Sequence, residues 1–201
     1  VFARTLRRDP ENFVAGNRLS SLLLRRLWAR PEHVVEVPAG GVEALAWGGD
    51  GTFLMAACGD GVVRRWQAGE SRWDGWNWAT GAGGFKWIGF SADGGQMGAL
   101  RKEGYFAVAT METPPRVFQP VPLPGLVVKA AFHPTERRVA LALADHRFEV
   151  WDLVSQEKLW SAELGERASS MMWSPDGMRL VLSGVDGLIV VHDGETGLRV
   201  G

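Results

Sequence analysis

The sequence is short of cysteine, of charge of one sign and of long apolar stretches, and each shortage removes a class of protein. Cys58 is the single cysteine, so an internal disulfide is excluded and nothing points to an oxidising compartment. No uninterrupted apolar run exceeds six residues, as in Val139 to Ala144, against the roughly 20 residues a membrane helix needs. Lys and Arg total 22, Asp and Glu 23, for a formal net charge of −1. A nucleic-acid binder held by a broad basic surface is therefore not expected. No signal peptide of basic-then-apolar type opens the chain, and a cytoplasmic location is the expectation.

Catalytic motifs are equally scarce. There is no GxSxG elbow, no phosphate-binding glycine loop and no HExxH helix. His33, His133, His146 and His192 show no zinc spacing, and Cys58 has no CxxC partner. Cys58 reads as a small buried hydrophobe. Carboxylates are plentiful, but no pair stands out for acid–base work. No catalytic residue, metal or cofactor is expected, and the chain reads as a non-enzyme.

What is present is a repeat. With 10 Trp and 9 Phe in 201 residues, there is ample material for a core. One pattern occurs four times: VEALAW-GGDG-TFLMAACGDG-VVRRW from Val42 to Trp66, FKWIGF-SADG-GQMGALRKEG-YFAVA from Phe85 to Ala109, VVKAAF-HPTE-RRVALALADH-RFEVW from Val127 to Trp151, and ASSMMW-SPDG-MRLVLSGVDG-LIVVH from Ala168 to His192. The aromatic closing the first run is Trp47, Phe90, Phe132 and Trp173, at intervals of 43, 42 and 41. Asp60, Glu103, Asp145 and Asp186 keep the same intervals. Runs of five or six residues suit strands. The separators GDG, KEG and VDG supply positive-φ residues for hairpins. A fourth strand fits between units, as at Trp76–Trp78 and Lys158–Trp160. Four strands in roughly 42 residues make a propeller blade.

SPDG, then DG, then an apolar run ending in Trp or its substitute resembles the WD-repeat (WD40) propeller family of bacterial type, over residues 34–201. The fourth unit is most similar, and Trp151–Asp152 is the one literal signature dipeptide. The resemblance gives Trp47, Phe90, Phe132, Trp173, Trp66, Trp151, Asp152 and His192 the signature columns. It implies an all-β fold of four blades and a platform for protein partners. The family's Gly-His pair before each unit is missing; the corresponding segments read PAGG and LGER. That His can bond the acidic turn residue, so here Asp60, Asp145 and Asp186 read as turn formers. The second unit has Ala109–Thr110 in place of the dipeptide, and the third has HPTE in place of SPDG. Four blades fill little more than half of a seven-bladed ring. The chain begins at Val1 and stops at Gly201 in mid-pattern, so it reads as a fragment. Either further blades in cis or a second chain would close the ring.

Residues 1–31 carry seven arginines against Asp9 and Glu11, a net +5 that leaves −6 for the remainder of a chain at −1. Asp9–Pro10 reads as a helix start and Pro31 as its stop. Ala15, Leu19, Leu22, Leu23 and Leu27 form one stripe at helical period. LRRDPENFVAGNRL resembles a junction between tetratricopeptide repeats; a single amphipathic helix is the alternative. The arginines read as a solvated face.

Two places invite a partner. Trp73, Trp76, Trp78 and Trp87 crowd the link between the first two units, as a peptide or sugar surface or as blade packing. The turns around Asp60, Glu103, Asp145 and Asp186 are the other candidate contacts. Residues 113–124, TPPRVFQPVPLP, read as a stiff connector. The innermost columns Leu45, Ile88, Ala130 and Met171 carry no recurring His or acid, so a propeller enzyme using a central channel is the least favoured reading. A tetratricopeptide-like end before WD-type blades also resembles the C-terminal sensor regions of large bacterial signalling proteins, Ser/Thr kinases among them.

Overall fold

The computed structural model describes residues 34–37, 40–70, 72–79, 83–118 and 125–200. The helix expected over residues 1–31 lies outside them. The compact unit Val37–Gly201 contains four antiparallel sheets among the described residues. The first is β1 (Val42–Trp47), β2 (Phe53–Cys58), β3 (Val62–Gln67) and β4 (Arg72–Ala79). The second is β5 (Phe85–Phe90), β6 (Gln96–Arg101), β7 (Phe106–Thr110) and β8 (Val117–Phe118). The third is β9 (Val127–Phe132), β10 (Arg138–Leu143), β11 (Arg147–Asp152) and β12 (Lys158–Glu163). The fourth is β13 (Ala168–Trp173), β14 (Arg179–Gly184) and β15 (Ile189–Asp193). Each sheet runs in chain order, so each is one blade. Residue 199 forms a bridge to His192, where a fourth strand of the last blade would pair.

The repeat is written into the backbone bonds. Gly59, Lys102, Ala144 and Val185 each donate an N–H to the carbonyl of Gly41, Gly84, Leu126 and Arg167, at 2.8–3.0 Å. At the opposite blade edge, Ala68, Met111, Leu153 and Gly194 donate to Thr52, Gly95, Arg137 and Met178. Every first strand also slips by one residue, at Glu43, Lys86, Val128 and Ser169. These bulges bend each strand as it enters its blade.

The blades stack through three apolar layers. Met55, Val63, Trp76, Ile88 and Met97 fill the space between the first two. Leu100, Phe106, Val127, Leu141 and Trp151 fill the next. Phe148, Val150, Leu180 and Leu182 fill the last. Both faces of the inner blades are covered, which explains unbroken apolar runs such as Val139–Leu143. The first-strand aromatic plugs into the preceding blade. Phe90 meets Phe53 edge-on at 5.6 Å, Phe132 meets Trp87 at 5.7 Å, and Trp173 donates to the Ala131 carbonyl at 3.2 Å. Trp47 has no preceding blade among the described residues and is 56% exposed.

Two expectations need adjusting. The fourth strand of the first blade is eight residues long, not three, because its pairing with β3 runs past Trp78–Val63 and resumes at Trp73–Trp66 and Arg72–Gln67 after a register shift. The proline-rich connector, expected as a stiff link, also supplies a fourth strand: Val117 and Phe118 pair with Ala109 and Val108 to make β8.

Candidate interaction surface

The turns between second and third strands share one blade edge. Asp60 Oδ1 accepts the Val62 N–H at 3.1 Å, and its carboxylate holds Arg64 at 3.0 and 2.6 Å. Asp145 accepts the Arg147 N–H and takes that guanidinium at 2.8 and 2.6 Å. Asp186 accepts the Leu188 N–H at 3.1 Å. Glu103 pairs with Arg101 at 3.4 Å. The aspartates therefore form the turns, as their sequence setting implied. The Arg64 guanidinium holds the Asp60 carboxyl below the usual range, and Arg147 does the same for Asp145. Both remain ionised at neutral pH.

The tryptophans lie differently. Trp76 is fully buried and Trp78 is 3% exposed, both on the face of β4 that packs on the second blade. Trp78 shows one edge to a cavity of about 410 Å³ that it shares with Arg101, Tyr105 and Val117. Trp73 is half-buried opposite Trp66. Trp87 lies between Phe106 and Phe132. Burial thus gives Trp76 to packing and takes it off any contact surface.

The turns between first and second strands occupy the other edge. Ser91 Oγ donates to Asp93 at 2.7 Å, and Ser174 Oγ donates to Asp176 at 2.5 Å. HPTE departs from that pattern but keeps the turn. His133 Nδ1 accepts the N–H of Thr135 at 3.2 Å and of Glu136 at 3.0 Å. An accepting Nδ1 leaves the proton on Nε2, which donates to the Gly177 carbonyl of the next blade at 3.2 Å. His192, in the closing column, is buried and reaches the Gly197 carbonyl through Nδ1 at 2.9 Å. His146 is exposed. No group of three His, Cys, Asp or Glu side chains able to hold a metal occurs among the described residues. Among the described residues no helix is long and apolar enough to cross a membrane.

Sequence reasoning passed over Lys86 and Lys129. Both line a cavity of about 390 Å³ at the entry of the first strands of the second, third and fourth blades. A gapless repeat alignment puts them in different columns, and the bulges at 86 and 128 obscure their nearness.

Residues 29–67 match the family model for the WD domain, G-beta repeat. Over that segment the chain is similar to a WD40 repeat. Its blades are those of a β-propeller. The β-propeller domain of Cps50 (Swd1) from Myceliophteria thermophila superposes with a TM-score of 0.69 at 13% identity, covering 79% of this chain and 54% of that one. U3-55K superposes with a TM-score of 0.69 at 13% identity, covering 84% of this chain and 53% of that one. This chain spans about half the length of either structure. At such identity the likeness is one of fold. A comparison with curated proteins gives no match. The WD40 match covers the first blade through β3, and the remaining blades repeat its backbone bonds at intervals of 43, 42 and 41.

Proposed function

We propose that this WD40 chain is a non-catalytic platform for protein–protein contacts. One observation carries the reading. The charged turns of the second-to-third strand edge are fixed by partners inside their own hairpins, as in Asp60–Arg64 and Asp145–Arg147. Carboxylates held ionised in that way suit static recognition better than proton transfer. Rigid sheets with loops gathered at their edges present such groups to a partner. A photo-crosslinking residue at Glu103, Asp145 or Asp186 is expected to capture a protein of defined mass, whereas one at Asp50 on the opposite edge is not. Equal capture from both edges, or none from either, refutes the reading. Met172 and Ile189, exposed on the fourth blade away from the third, support continuation of the ring, in cis or by a second chain.

A second reading rests on LRRDPENFVAGNRL and its likeness to tetratricopeptide repeats. In it, the blades form the sensor region of a larger bacterial signalling protein such as a Ser/Thr kinase. A kinase signature set encoded upstream in the same frame supports it, and an upstream frame without one rejects it.

A further inference from the structure

The described residues hold four lysines. Lys102 pairs with Glu43 at 2.5 Å, and Lys158 pairs with Glu149 at 3.3 Å. Lys86 and Lys129 form no ion pair among the described residues, and both line the same cavity. Three blades build it: Lys86 and Trp87 come from β5, Lys129 from β9, and Ser170 and Met171 from β13. No carboxylate lines it among the described residues. Glu43, in the bulge column of the neighbouring blade, is committed to Lys102 and to the Phe85 N–H at 2.6 Å. Two like charges facing one concavity raise a positive potential that favours an anion.

We infer that this cavity is the docking point for an acidic segment of a protein partner, a glutamate or aspartate set beside an apolar side chain. The carboxylate would meet Lys86, Lys129 and the Ser170 hydroxyl, and the apolar neighbour would lie on Trp87 and Met171. The volume falls near the low end of the roughly 300–1,000 Å³ of small-ligand sites, larger than a lone inorganic anion fills. The apolar half of its lining favours a peptide over a free ion. A chain at net −1 argues against a polyanion such as nucleic acid. The inference rests on the platform reading and names what the platform recognises.

The test uses the whole chain with its four lysines carried as ¹³C-dimethyl derivatives, which keep their charge. A capped peptide alternating glutamate and leucine is titrated in, then its glutamine counterpart, then inorganic phosphate. The glutamate peptide is expected to move the Lys86 and Lys129 signals and leave Lys102 and Lys158 in place. Its glutamine counterpart, and the Lys86→Gln/Lys129→Gln variant, are expected to bind at least about tenfold more weakly. An unchanged thermal midpoint in that variant shows that the fold is intact. Equal movement of all four lysines, equal binding of the glutamine peptide, or the same shifts from phosphate at the same concentration overturns the inference. If the peptide fails while crosslinks at the Asp145 turn still capture a partner, the acidic pocket falls and the platform stands.

Discussion

Replacing His133 by alanine is expected to destabilise the fold by about 2.5–3.5 kcal/mol. The ring is 5% exposed and acts in two directions. Its Nδ1 takes the N–H groups of Thr135 and Glu136, closing its own turn, and its Nε2 donates across to Gly177 of the next blade. Each of those two roles is worth about 1 kcal/mol net. The edge-to-face contact with Trp173, centroids 4.6 Å apart, adds about 0.5–1.5 kcal/mol. Serine separates the contributions. Ser91 and Ser174 hold the same column in neighbouring blades, and their hydroxyls accept the N–H of Gln96 at 3.1 Å and of Arg179 at 2.9 Å. His133→Ser should therefore recover about 1 kcal/mol of the loss through its turn and none of the link between blades. A double-mutant cycle with Trp173→Leu, whose side chain carries no ring, isolates the aromatic pair. Equilibrium urea unfolding reads all five proteins: the parent, the two His133 variants, the Trp173 variant and the double variant. An alanine variant within about 0.5 kcal/mol of the parent, or a serine variant no better than alanine, refutes the reasoning.

Trp76→Ala should cost about 3–5 kcal/mol in the same assay, because the side chain is fully buried between the first two blades. Gly59→Ala should cost about 1–3 kcal/mol, since a Cβ there would run into the Gly40 carbonyl oxygen, a backbone atom that cannot rotate away; a fall in thermal midpoint reports it. Cys58 has no exposed surface, and burial pushes its thiol pKa up. Its labelling by a thiol reagent should follow the rate of unfolding and be negligible in the native protein. Acid should weaken the fold. The Ser91 and Ser174 hydroxyls hold Asp93 and Asp176 below their ordinary value of 3.8. A lowered folded-state pKa contributes stability that is present above the unfolded value and lost as pH falls through the folded one. The urea midpoint should drop below about pH 4, and the Ser91→Ala/Ser174→Ala variant should flatten that drop.

The blade pattern was legible because its signals are local. Hairpin glycines and aspartates mark each turn, and the five- or six-residue apolar runs match the strands to within a residue or two. What sequence could not supply was direction across blades. Trp73, Trp76, Trp78 and Trp87 form one cluster in the sequence, yet burial fractions divide them among the two faces of β4 and the next blade. Alternation alone places Trp76 and Trp78 on a common face without saying whether water or another sheet covers it. The lysine pair was hidden for a related reason. Lys86 and Lys129 lie 43 residues apart in a repeat whose period there is 42, and the bulges add a one-residue slip in each strand. Only the folded strands bring both to one cavity.

The missing Gly-His pairs also find their explanation in the backbone. A side-chain link from before the first strand to the acidic turn would tie those two segments together. Here the carbonyls of Gly41, Gly84, Leu126 and Arg167 receive N–H groups from the turn side in all four blades, so the tie survives as a main-chain bond. The acidic side chains are then free to serve their own hairpins, as Asp60 does for Val62 and Arg64. The same substitution of means operates at the other edge, where an imidazole closes the turn of one blade through the N–H groups of Thr135 and Glu136 and a serine hydroxyl closes two others through those of Gln96 and Arg179. Side chains at these columns can therefore change identity while the register holds, because the register is carried by bonds that every residue but proline can make. The columns that cannot drift are the ones that fill space between sheets, such as Trp76, Phe148 and Leu180, where volume and not hydrogen bonding is the constraint.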